Sequence, residues 1–260
     1  MHPVLLSLGP LTLYGYGLMC ALGIGLAAKL VWDRRRRIGL ADDESYWALL
    51  NLVVLAGFGG GRLLYLAQYA RGTDTFKAAV VSTSSGFSVF GSFIGLSLLC
   101  WGFARWKRLD AARLADALFA GAALAHAFGR IGCFLAGCCY GKPTGLPWGV
   151  VFTDPRSMVP AELLGVRLHP AQLYEAFADF ALAGVLFRLL AASDEGRVRP
   201  GTTTAVYFAV YGVLRFALER VRADGLPWAF GLTSGQGFGL GLALAGGALY
   251  GGRALRTRSS

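Results

Sequence analysis

Apolar runs recur along this chain at the length needed to cross a bilayer, and that repetition constrains the fold more than any other feature. About 30 Å of hydrocarbon takes roughly 20 helical residues. Backbone groups inside it must be satisfied within the segment, which leaves helices as the simplest solution. The runs cover approximately 11–32, 46–69, 86–103, 111–128, 171–190, 203–222 and 235–250. They predict an all-α, polytopic membrane protein with seven transmembrane helices. A content of 55% hydrophobic and 15% charged residues, with a mean hydropathy of +0.52, excludes an ordinary soluble domain.

The formal charge of +10 raises the possibility of a nucleic-acid partner. Its distribution argues instead for topology and anionic headgroups, because the basic residues sit in short loops between the runs. Arg34 to Arg37, the group Arg105, Lys107 and Arg108, the loop 191–202 and the tail with Arg253, Arg256 and Arg258 alternate with less basic connections. The positive-inside bias then places the N-terminus outside and the C-terminus in the cytoplasm. Residues 1–10 lack a basic leader region, so the first run is expected to stay as a helix. No internal repeat is visible. One domain over 1–260 is predicted, with a Gly- and Pro-rich insert at about 130–168 facing outward.

One stretch concentrates the chemistry. His126 to Thr144, HAFGRIGCFLAGCCYGKPT, follows the fourth run and holds three cysteines, a histidine, an arginine and four glycines. An arginine at the mouth of an apolar segment is costly unless an anion meets it. Glycines let backbone N–H groups approach such an anion. His126 and Arg130 are four apart and face the same way on a continuing helix. Cys20 and Cys100 lie in apolar runs and read as packing residues. A zinc set of His126, Cys133, Cys138 and Cys139 lacks a C-x₂-C pair. A disulfide or reactive thiol is a second reading, and small semi-polar packing around a substrate cavity is the default.

Other polar residues also sit where lipid would penalise them. Arg62 reads either as a snorkelling helix-end cation or as one facing a cavity. Arg215, Glu219 and Arg222 share a face on one helix, either as a salt-bridged stripe or as the lining of a polar cavity. His169 to Glu175 reads as a helix entry with Pro170 in its first turn and Gln172 and Glu175 on one face. Thr233 to Gln236 looks like an N-cap, and such helix starts offer N–H groups to anions. Tyr14 and Tyr16 read as interfacial belt residues.

Taken in order, SLGPLTLYGYGLM, GGRLLYLAQY, GFSVFGSFIGL, GRIGCFLAGCCYG, HPAQLYE, YGVLRFALERVR and LTSGQ resemble the prolipoprotein diacylglyceryl transferase family over nearly the whole chain. The resemblance implies transfer of a diacylglyceryl group from phosphatidylglycerol to the lipobox cysteine of a preprolipoprotein. A thioether forms and glycerol 1-phosphate leaves, at the outer face of the bacterial inner membrane. It further implies that Arg130 binds the phosphate and that Arg215 is a second essential arginine, with Glu219 and Arg222 as companions. Tyr16, Gly141, Gln172, Tyr174 and Glu175 match further family positions, and Arg62 and Gln236 are added as substrate-binding candidates. The partners expected are phosphatidylglycerol, the preprolipoprotein signal peptide and membrane lipids, with no nucleic acid, cofactor or metal, and a monomer.

The sequence departs from the family at several positions. Phe90 stands where the family carries a histidine base, and Cys133, Ala136 and Cys138 replace its asparagines and glutamate. His126 is the substitute base that spacing suggests. Two rival readings follow from these changes: a divergent paralogue acting on another thiol or phospholipid, and a thiol-redox or metal-handling membrane protein.

Overall fold

Continuous i to i−4 hydrogen bonding makes apolar backbone compatible with lipid, and the apolar runs fold accordingly. A computed structural model describes residues 3–9, 11–40, 42–69 and 88–256. Among these residues it has seven α-helices: α1 (Gly15–Ile38), α2 (Asp43–Tyr69), α3 (Val89–Lys107), α4 (Ala111–Ala136), α5 (Ala171–Asp194), α6 (Thr202–Leu218) and α7 (Ser234–Arg256). Four of them, α1, α2, α4 and α5, are long and apolar enough to cross a membrane. Exposed Leu22, Ile24 and Leu26 on α1, and Val54, Leu55 and Phe58 on α2, suit contact with acyl chains rather than water. The predicted start of the third helix at Gly86, and Arg258 in the tail, lie outside the described residues.

Several boundaries differ from the sequence reading: α1 runs on through Arg34 to Arg37 to Ile38 and α7 to Arg256, and three others have a plain local reason. Residues 11–14 alternate Leu-Thr-Leu-Tyr and form a strand, β2 (Leu11–Tyr14), antiparallel to β1 (Val4–Leu8), so α1 begins at Gly15. The fourth helix runs eight residues past Phe128, to Ala136, because Ile131, Phe134 and Leu135 continue its apolar pattern. It stops at Gly137, whose φ of +82° is the left-handed turn that ends helices. The sixth helix ends at Leu218 instead of Arg222. There the chain tightens, with Val221 N–H donating to Leu218 O, and then extends so that Arg222 bridges Gly141.

The backbone divides into two units, residues 1–31 with 116–260 and residues 32–115. In the smaller unit α2 and α3 meet through glycines. A Cβ on Gly91 would collide with the Gly60 carbonyl, and Ser92 Oγ donates to Gly57 O at 2.8 Å. Small residues that let backbones touch are the usual means of joining helices in lipid.

In the larger unit α6 and α7 pack as closely, with Gly212 against Gly239 O. Within the insert after α4, β3 (Val150–Val151) pairs with β4 (Arg167–Leu168). Phe152, Val159 and Leu168 form a small core there, against Phe134 and Tyr140.

Asp116 on α4 is 2% exposed and caps α6 from a distance. Its Oδ2 accepts from Gly201 N at 2.5 Å, and its Oδ1 from Thr204 N and Oγ1 at 2.8 and 2.7 Å. A carboxylate at a helix N-terminus satisfies orphan donors and complements the dipole. Replacing Asp116 by alanine should therefore destabilise the protein by about 2–3 kcal/mol, with asparagine recovering part of the loss. Thermal unfolding in detergent measures both.

Candidate active site

Because α4 continues through the glycine-rich motif, His126, Arg130 and Cys133 fall at i, i+4 and i+7 on one face. Opposite them α5 presents Glu175 and Asp179, again four apart, and both are nearly fully buried. Glu175 Oε1 lies 3.0 Å from Arg130 Nη2 and 3.8 Å from Arg215 Nη1, and Oε2 lies 3.5 Å from Arg222 Nη1. One carboxylate thus serves three guanidinium groups that are each less than a tenth exposed.

Glu219 adds a second counter-charge, with Oε2 2.7 Å from Arg215 Nη2 and 3.7 Å from Arg222 Nε. Arg222 also pairs with Asp224 at 2.8 Å. Burial raises the Asp224 carboxyl, against the lowering pull of Arg222. Arg215 Nη1 is buried and makes no hydrogen bond. A buried donor left in that state is expensive unless a ligand completes it.

His126 sits between charges. Its Nε2 accepts from Arg130 Nε at 3.1 Å, and its Nδ1 is 2.7 Å from Asp179 Oδ2. An imidazole accepting at Nε2 carries its proton at Nδ1, facing Asp179. The lone pair a base would need is therefore engaged by Arg130, and His126 reads as a support for that guanidinium. Tyr211 meets the His126 ring edge-on at 5.5 Å.

The thiols form a separate group. The Sγ atoms of Cys133, Cys138 and Cys139 all lie within 4.8 Å of one another. His126 groups with Glu175 and Asp179 instead, so the four-ligand zinc set suggested by the sequence does not assemble. Within that second group Arg130 already contacts His126 Nε2 and Glu175 Oε1. The Cys139 thiol is held below its ordinary range, first by the Cys133 and Cys138 thiols and then by the Arg130 and Arg222 charges.

The remaining predicted residues support this arrangement. Gln172, fully buried, donates from Nε2 to Cys138 O at 2.8 Å and ties the thiol loop to α5. The Tyr174 hydroxyl accepts from Trp148 Nε1 at 2.8 Å. Tyr16 opens α1 and packs against Gly132, between Arg130 and Cys133. Gln236 forms a reciprocal capping box with Thr233, whose hydroxyl also donates to Glu219 Oε1 at 2.9 Å. Arg62 belongs to the smaller unit, where its guanidinium lies 5.8 Å from the centre of the Tyr65 ring. Phe90 belongs to that unit as well.

Gly141 is where three chain segments converge. Lys142 N–H donates to Val221 O, His169 N–H to Lys142 O and Ala223 N–H to Tyr140 O. A Cβ on Gly141 would stand 2.5 Å from His169 O, which is backbone and cannot swing away. Gly141→Ala should displace the Arg222 segment and lower activity by at least ~10-fold, while α-helical content is kept. Activity beside circular dichroism checks it.

Sequence reasoning missed Asp179 and Tyr211. Asp179 was visible as an acid inside an apolar run, one turn from Glu175, which marks a functional position in a membrane segment. Tyr211, one turn before Arg215, carried no comparable signal.

The sequence profile of the family described as prolipoprotein diacylglyceryl transferase matches residues 3–251. A Clostridium tetani protein named phosphatidylglycerol–prolipoprotein diacylglyceryl transferase is 37% identical over 224 residues, 86% of each chain. A protein of the same name from Solidesulfovibrio magneticus is 37% identical over 251 residues, 90% of this chain and 88% of its own. Another from Dehalococcoides mccartyi is 33% identical over 245 residues, 92% and 89% of the two chains.

Proposed function

Because the chain belongs to the prolipoprotein diacylglyceryl transferase family, we propose that it moves the diacylglyceryl group of phosphatidylglycerol onto the lipobox cysteine thiol of a preprolipoprotein. The acceptor sulfur bonds to the terminal glyceryl carbon, the carbon–oxygen bond breaks, and glycerol 1-phosphate departs. The observation that carries the site assignment is the sharing of Glu175 among Arg130, Arg215 and Arg222, with Arg215 Nη1 left without a hydrogen bond. Two of those three contacts are longer than a good charge-assisted hydrogen bond. A phosphate diester offers the missing acceptors, and its oxygens take the place that Glu175 fills incompletely.

Charge builds on the phosphate as the carbon–oxygen bond breaks. Donors already fixed at that point stabilise it without reorganisation, usually the largest contribution in such reactions. Arg130 and Arg215 supply the clamp, Arg222 and Glu219 hold its outer edge, and His126 with Asp179 keeps Arg130 in register. Gln172, Tyr174 and Gly141 fix the loop beside the clamp, and Tyr16 closes its α1 side. Arg62 and the α7 start at Gln236 serve lipid headgroups. His126→Ala should lower turnover about 10-fold through misplacement of Arg130, with the midpoint of the pH–rate profile unmoved; loss of an acidic limb would restore the base role.

All seven helices cross the membrane in this reading, with the N-terminus outside. The basic last turn of α1, holding Arg35, Arg36 and Arg37, supports a cytoplasmic end there. The site then opens toward the outer face of a bacterial inner membrane, and one chain suffices for it. The test uses purified protein, phosphatidylglycerol and a lipobox peptide. Glycerol phosphate should appear with the cysteine peptide and not with its serine counterpart. Release that ignores the peptide would mean a phospholipase, and transfer to unrelated thiols would favour a divergent paralogue.

A further inference from the structure

Thioether formation needs the acceptor as a thiolate, and the clamp offers no evident means of making one. The imidazole beside it, His126, has its Nε2 lone pair engaged by Arg130. The carboxylates facing the clamp are already in contact with guanidinium groups or, for Asp179, with His126. Next to Arg130, however, stand three thiols with no assigned role, Cys133 on α4 and Cys138 and Cys139 just past its end.

Their geometry is that of a ligand set. The Cys133, Cys138 and Cys139 sulfurs lie within 4.8 Å of one another, whereas three thiolates on one zinc ion, at bonds of ~2.3 Å, stand about 4 Å apart. Convergence by about an ångström, to the ~3.8 Å of tetrahedral geometry, closes the set. The backbone is arranged for it. Cys133 comes from the last turn of α4, and Gly137, at φ +82°, turns the chain so that Cys138 and Cys139 come back onto it. Cys139 itself adopts φ +57°, a left-handed conformation that costs a non-glycine residue ~1 kcal/mol or more. Such strain persists where surrounding structure enforces it and collects at functional sites. Here the Gln172 bond to Cys138 O does the enforcing. Three thiolates on a dication carry one net negative charge, and Arg130, three residues before Cys133 on α4, supplies positive charge nearby.

We propose that Cys133, Cys138 and Cys139 bind a zinc ion whose open fourth position takes the acceptor cysteine. Soft thiolate ligands select zinc among redox-inert ions, and three protein ligands with one vacant position is the arrangement of catalytic rather than structural zinc. A thiol that coordinates the metal gives up its proton, here to water. The bound sulfur then forms its bond to the glyceryl carbon as the carbon–oxygen bond breaks, and the electron pair leaves with glycerol 1-phosphate on the arginine side. The thioether product is a weak ligand and leaves the metal. This inference rests on the transferase reading for its acceptor, but the metal site is testable without it.

The experiment loads the purified full chain with Cd²⁺ and then with Co²⁺. Cadmium should give a thiolate-to-metal charge-transfer band that saturates at one ion per chain. The band should be lost in Cys138→Ser/Cys139→Ser protein whose helical content is unchanged, and in Cys139→Ser alone should the double variant unfold. The visible bands of the cobalt form should shift on adding the lipobox peptide and stay put with its serine counterpart. Chelation should lower glycerol phosphate release about 10²-fold, and zinc should restore it. Absence of the cadmium band, or a disulfide among these cysteines in protein alkylated within intact cells, overturns the proposal. So does release that withstands both chelation and the double substitution, an outcome that leaves the transferase reading standing. If zinc-loaded protein releases nothing while an active relative does, the transferase reading falls, and the cadmium band decides the metal site by itself.

Discussion

Arg130→Ala should lower glycerol phosphate release by ~10²–10³-fold, the usual loss when one fixed donor to a developing anion is removed. Of the three guanidiniums around Glu175 it lies nearest that carboxylate, at 3.0 Å, and it also donates to His126 at 3.1 Å. Alanine also leaves Glu175 without its shortest partner, and repacking around it adds to the loss. Arg130→Lys separates the two effects. Lysine restores a charge but not the planar fork that reaches imidazole, carboxylate and phosphate together. The lysine variant should unfold close to wild type and still lose most of its turnover. Full activity in Arg130→Lys would reduce the residue to a general positive field.

The second large effect is on stability. Glu175→Gln removes the one charge shared by Arg130, Arg215 and Arg222. Breaking a buried ion pair from one side costs about 3–5 kcal/mol, because the remaining charge keeps its desolvation penalty. For a chain of this size that corresponds to a fall in Tm of roughly 10 °C. Phosphatidylglycerol should then raise the Tm of the variant more than that of the wild type, since lipid phosphate fills the place the carboxylate vacated. Equal shifts in the two proteins would mean that the phosphate binds elsewhere.

The sequence was most informative where burial and charge conflict. Arg130, Arg215 and Glu219 stood out because ionised groups in or at the mouth of apolar runs need partners, whereas Glu175 entered only with the helix-entry motif that the resemblance matched; the fold brings all four together. Seven helical runs were legible for the same reason, since length and polarity alone set them. Boundaries were harder to read. Nothing in the composition of 129–136 says whether its glycines end α4 or continue it, and the close packing of Tyr16 on Gly132 goes with the helix. Arg222 was read as part of the α6 stripe, yet it joins the cluster from beyond the helix end through its bridge to Gly141. Pairing between residues 81 apart leaves no periodic trace. The His126–Asp179 contact was hidden likewise, because it forms between two helices.

The unbroken run of α4 to Ala136 has a consequence for how this region can vary in length. From Arg130 to Cys133 the helix climbs about 4.5 Å and turns through about 300°. The separation between the guanidinium and the first thiol is thus set by helical pitch, as on a ruler. A single residue inserted or deleted between them would swing everything beyond by ~100° and aim the thiols away from the arginines. The insert between Thr144 and Val166 has no such gauge, because its ends are already fixed by pairing. Change in chain length is therefore absorbed there, and the ruler keeps its length.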